Sequence, residues 1–113
     1  MHILIDFARK PEEAQELWTV DTVRCYLAEA IKVTGLSCFG PEVVEENGGV
    51  LMGFQMIAES HVSVHVDRAT GQGWADVFSC KDVNAGQVAF AVDVSFGGWQ
   101  SIRYIPRTEL SPS

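Results

Sequence analysis

Apolar residues recur at three- and four-residue steps through Leu17, Val20, Val23, Leu27 and Ile31, which predicts one long amphipathic helix over 11–34. Pro11 suits its first turn, Glu12 and Glu13 suit the positive end of its dipole, and Gly35 ends it. Ahead of it, the short β-branched run 2–7 reads as a strand. After it, strand-like runs cover 36–44 (interrupted by Gly40-Pro41), 50–58, 60–66, 74–80 and 99–105. The stretches 50–58 and 60–66 are nearly continuous, and turns fall at 45–49 and 70–73, where Asn-Gly, Gly-Gly and Thr-Gly supply positive φ. A second helix is predicted over 82–94, with Val83, Gln87, Phe90 and Val94 as its stripe, and 108–113 is a polar tail.

With 50–66 counted as one run, the order is β-α-β-β-β-α-β. That predicts an α+β fold, a two-layer sandwich of an antiparallel sheet with two helices on one face. The other face of such a sheet stays bare unless a second copy covers it, so a homodimer is expected. At 113 residues the chain reads as one domain, 1–113, able to bury roughly 65% of its unfolded surface. A net charge of −7 argues against a nucleic-acid partner, which needs a basic face. No apolar run approaches the roughly 20 residues of a membrane span, so no membrane partner and a cytoplasmic location are expected. Three cysteines without a C-x-x-C pair speak against a disulfide framework or zinc. Cys25 and Cys38 are therefore expected as small core residues, and Trp18, Trp74 and Trp99 as core or interface anchors.

The stretch Glu59-Ser60-His61-Val62-Ser63-Val64-His65 is different in kind. On a strand, His61, Ser63 and His65 share one face, and Ser60, Val62 and Val64 the other. Such a polar face can simply be the solvent side of a half-buried strand. His61 and His65 stand about 13 Å apart along a strand, too far for one metal ion, so no metal is expected. The chain has no G-x-S-x-G, which speaks against a serine hydrolase.

Together with Asp76-Val77-Phe78-Ser79-Cys80, these residues resemble the small prokaryotic S-adenosylmethionine decarboxylase family. The family's Glu-Ser-His core, a histidine five residues after the Ser and a cysteine twenty after it correspond to Glu59-Ser60-His61, His65 and Cys80. The resemblance implies a proenzyme that cuts itself between Glu59 and Ser60. The Ser60 hydroxyl would attack the Glu59 carbonyl to give an ester, and β-elimination would release the upstream chain. The dehydroalanine left at 60 would hydrolyse to a pyruvoyl group with loss of ammonia. That covalent pyruvoyl is the cofactor, which forms an imine with an amine substrate and accepts the electrons left by departing CO₂. The same resemblance makes His65 an aid to cleavage and a wall of the pocket. It makes Cys80 the donor that returns a proton to the substrate carbon, a role suited to a thiol, which is largely protonated at neutral pH. The implied product feeds spermidine synthesis.

Departures from the family bear on substrate recognition. After the second histidine the family usually has Thr-Trp-Pro-Glu, whose carboxylate helps hold the substrate; this chain has Val66-Asp67-Arg68-Ala69. A cation there opposes a sulfonium substrate. Lys81 replaces a glycine after the cysteine, Met52 stands where the family has a serine that helps processing, and Phe39 and Phe54 are candidates to stack on adenine. Alternatives are a pyruvoyl decarboxylase of a basic amino acid, arginine or ornithine, and an uncleaved, non-enzymatic paralogue.

Overall fold

The computed structural model describes residues 1–35, 37–58 and 60–105. Its elements run β1 (His2–Ala8), α1 (Pro11–Leu17), α2 (Val20–Thr34), β2 (Val43–Asn47), β3 (Val50–Ile57), β4 (Ser60–Asp67), β5 (Gln72–Phe78), α3 (Ala85–Phe96) and β6 (Trp99–Ile105). The strands form one antiparallel sheet in the spatial order β2-β3-β4-β5-β1-β6, with helices against one face. The predicted α+β, two-layer architecture is therefore present.

Alternation builds the core. Ile3, Ile5 and Phe7 of β1, Leu51 and Ile57 of β3, Val62, Val64 and Val66 of β4, and Ala75 and Val77 of β5 point toward the helices and are buried. Val23, Tyr26, Leu27 and Ala30 of α2 and Val88, Ala91, Val92 and Phe96 of α3 meet them. Gly53 lies directly under Val23 and Leu27 of α2. A Cβ there would stand 2.5 Å from the Val23 Cγ1, so only a residue without a side chain fits unless the helix moves.

The long helix predicted over 11–34 is two helices. Trp18 leaves α1 in an extended conformation, and Thr19 restarts the chain as the N-cap of α2, exchanging side-chain and backbone hydrogen bonds with Thr22. The break lets the Trp18 indole enter the core, where it lies edge-on to Phe7 and Phe96 and donates from Nε1 to the Phe96 carbonyl at 3.0 Å. Leu17, placed on the buried stripe by periodicity, is exposed in consequence.

Other boundaries shift for local reasons. β3 and β4 are separate strands, with Ile57 opposite Ser60, so the sheet has six strands among the described residues rather than five. The strand expected over 36–44 is displaced to β2, because Gly40 at φ 85° and Pro41 interrupt the run and leave Cys38 with an isolated bridge to Ile57. The Gly48-Gly49 pair alone turns the chain into β3, since Asn47 already pairs with Val50. β5 starts at Gln72, inside the turn predicted over 70–73, and ends at Phe78, short of Cys80. α3 begins only after Asn84, whose side chain accepts from the amides of Gly86 and Gln87. Its buried face is accordingly Val88, Ala91, Val92 and Phe96, while Phe90 and Val94 are exposed. Cys25 and Cys38 are exposed rather than in the core; Cys25 faces Ser95 of α3, whose hydroxyl lies 3.4 Å from its Sγ. The predicted frayed tail, 108–113, lies outside the described residues. Among those described, no helix is long and apolar enough to cross a membrane.

Tyr26 sits fully buried under the sheet, and burial, with a smaller contribution from the Asp76 charge, pushes its phenol far above the usual tyrosine range. Above about pH 10 the unfolded phenol ionises while the native one keeps its proton, so stability falls as pH rises. One such group contributes a slope approaching about 1.4 kcal/mol per pH unit. Urea unfolding at pH 9 and pH 11 should show this loss, and Tyr26→Phe should remove that part of it.

Candidate active site

The face of the sheet turned away from the helices carries His61, Ser63 and His65. Register places its side chains in rows across the strands: Met56, His61, Phe78 and His2; then Val43, Phe54, Ser63, Asp76, Leu4 and Arg103; then Glu45, Met52, His65, Trp74, Asp6 and Ser101. Polar and large apolar groups are interleaved, and Phe54, Phe78, Trp74 and Trp99 are between 39% and 67% exposed.

Asp76 is the hub of this face. One carboxylate oxygen accepts from the Ser63 hydroxyl; the other lies 2.7 Å from the His2 Nε2 and 3.6 Å from the His61 Nε2. Three adjacent strands, β4, β5 and β1, are thereby tied together by side chains. The His61 ring is stacked between Phe54 and Phe78, with centroids 5.6 Å away on each side, and Phe78 meets His2 edge-on. His2 and Asp76 carry no role in a sequence reading. Seventy-four residues separate them, and the β1–β5 register alone brings them together.

The three predicted catalytic residues do not converge within one chain. Ser60 is half-buried at the start of β4 and shares the parity of Val62, Val64 and Val66. Cys80 is exposed, two residues past Phe78, whose partner on β4 is His61; Ser60 and Cys80 thus lie at the same end of the β4–β5 pair. His65 lies on the opposite face, edge-on to Trp74 at 6.1 Å, and five residues along β4 from Ser60, or about 16 Å. β4 pairs with β3 and β5 in unbroken register from His61 to Asp67, so no bulge turns His65 toward Ser60. Glu59, the other half of the predicted cut, lies outside the described residues.

The residues that depart from the family are also placed. Arg68 donates to the Gln15 carbonyl of α1 at 2.9 Å, which directs it away from the His65 face. Asp67 accepts from the Ala69 amide and fixes the turn after β4. Met52 is the direct cross-strand neighbour of His65, and Phe54 that of Ser63. Phe39 stands at 66% exposed beside Met56, to whose carbonyl its amide donates a hydrogen bond.

Residues 1–107 match the family described as S-adenosylmethionine decarboxylase. The chain belongs to that family. Among solved structures, it is similar to the adenosylmethionine decarboxylase from Aquifex aeolicus VF5, with a TM-score of 0.74 and 20% identity. The likeness covers 99% of this chain and 94% of that one and shows that the two share a fold. No curated protein matches the sequence. In this S-adenosylmethionine decarboxylase fold, the resemblance read from residues 59–80 extends over nearly the whole chain. It covers the open sheet face and the end of the β4–β5 pair alike.

Proposed function

We propose that this chain cuts itself between Glu59 and Ser60 and then decarboxylates S-adenosylmethionine, with Ser60 as precursor of a covalent pyruvoyl group. The observation that carries the reading is the placement of Ser60 as the first residue of β4, at the same sheet end as Cys80, in a chain of this family. The site fits the group. From His61 onward β4 is held by ladders on both sides, so a new chain end at 60 would stay anchored after a cut. A pyruvoyl group supplies the electron sink for loss of CO₂. Cys80 returns a proton to the substrate carbon, and the His61 ring next in the chain to Ser60 is fixed between Phe54 and Phe78 on the open face.

His65 needs a second copy to take part. Its own Ser60 is out of reach, yet the face that carries His65 is rich in exposed aromatic and apolar side chains of the kind that pack between subunits. A twofold dimer closed through this face would bring His65 of one copy to the Ser60 end of the other. The product, a decarboxylated sulfonium amine, is suited to polyamine synthesis. The basic amino-acid alternative rests on the altered stretch Val66-Asp67-Arg68-Ala69 after His65, in which Arg68 is engaged with Gln15.

Mass measurement of the purified protein under denaturing conditions tests the cut. Two fragments, residues 1–59 and 60–113, are expected, the second with a blocked N-terminus. A single intact chain with an ordinary Ser60 would sink the proposal.

A further inference from the structure

A cavity of about 320 Å³ opens beside His65, lined by Val43, Glu45, Met52, Phe54, Ser63 and His65. Its volume is at the lower end for small-molecule sites. Glu45, Met52 and His65 stand in one row across β2, β3 and β4, so Glu45 and His65 are two strand spacings apart, about 10 Å. That span suits a nucleoside-sized ligand lying across the strands.

Charge in this cavity is one-sided. Glu45 brings its carboxylate and makes no ion pair among the described residues, whereas its neighbour Glu42 is engaged by Arg24 at 3.2 Å. Glu46 has the opposite strand parity. Of the nearby cations, Arg68 is bound to α1, and Arg103, on the same face but on β6 at the edge opposite β2, is paired with Asp6 at 3.3 Å. A carboxylate with an aromatic ring beside it, and without a competing cation, is a site for a positive charge.

We infer that Glu45 is the specificity-determining carboxylate of this enzyme, taking the positive charge of a sulfonium substrate from the edge strand β2. This rests on the decarboxylase reading above. It also answers the loss of the carboxylate after His65, where the chain has Val66-Asp67-Arg68-Ala69. Here the acid enters the His65 cavity from the edge strand β2.

Glu45→Gln keeps shape and removes charge. The variant should be cut like the wild type, with KM for S-adenosylmethionine raised about tenfold and kcat within about twofold. The inhibition constant of S-adenosylhomocysteine, a thioether without the sulfonium charge, should move by less than about twofold. An unchanged KM would overturn the inference, and so would a KM and an inhibition constant that rise together, because Glu45 would then act by shape. Absence of cutting in the wild type would instead defeat the decarboxylase reading. Calorimetric binding of both compounds to the uncut chain then decides Glu45 alone. Preference for the sulfonium, lost in Glu45→Gln, upholds the carboxylate's role, and no preference overturns it.

Discussion

Co-expressing a Ser60→Ala chain with a His65→Ala chain is expected to restore decarboxylase activity that neither variant has alone. Ser60→Ala removes the attacking hydroxyl, so its denatured mass should be that of one uncut chain and its activity should be nil. His65→Ala keeps the hydroxyl and should be cut slowly or not at all. In a mixed dimer of the proposed geometry, Ser60 of one copy would face His65 of the other, and one of the two sites would be whole. Random pairing gives half mixed dimers, so recovery should approach about a quarter of wild-type activity. The expectation follows from the roughly 16 Å between the two residues on unbroken β4 and from their opposite faces. Zero recovery, with mixed dimers demonstrated by tagged pull-down, would mean that both residues act within one chain.

The largest stability effect belongs to Trp18→Ala, which should lower unfolding free energy by about 3–5 kcal/mol. The indole is fully buried, contacts Phe7 and Phe96 edge-on, and donates to the Phe96 carbonyl. Deleting it leaves a cavity at the junction of α1, α2, α3 and β1. Such a loss is a large part of the roughly 5–15 kcal/mol typical of a domain. Trp18→Phe should cost less, because it keeps much of the ring and loses the hydrogen bond. The Phe96 carbonyl keeps the Arg9 Nη1 as a donor at 3.2 Å. Urea midpoints of the two variants, with unchanged slopes, check the ranking.

What the sequence made legible was local. The alternation in 60–66 sets Val62, Val64 and Val66 against the helices and His61, Ser63 and His65 on the other face, as the structure has them. β6 occupies the predicted 99–105, where Gly97-Gly98 frees the chain from α3. The break at Trp18 was hidden because the three- and four-step periodicity runs through it; burial of one indole outweighs continuity of one helix. In α3, the apolar residues are too evenly spread around the helix for a stripe to choose its face. Ser60, His65 and Cys80 are candidates that a motif supplies, whereas the His2–Asp76 contact and the cavity at Glu45 depend on register between distant strands. Arg68 had a charge that could be read and a direction that could not, since its partner, Gln15, lies 53 residues away on α1.

The strand order β2-β3-β4-β5-β1-β6 carries one more consequence. A cut between 59 and 60 leaves β1, β2 and β3 on one piece and β4, β5 and β6 on the other. These alternate in the sheet: β4 and β5 are wedged between β3 and β1, and β1 between β5 and β6. Neither piece owns a continuous sheet, so the chain cut as proposed would be an interlocked heterodimer of its own halves. Assembly is unimolecular before the cut and bimolecular after it. An uncut chain can refold at any dilution, whereas a cut one that comes apart must find its complement, with bare strand edges exposed to every other chain in the meantime. Folding is thus best completed before the bond is broken, and the working lifetime of the cut enzyme becomes a dissociation rate.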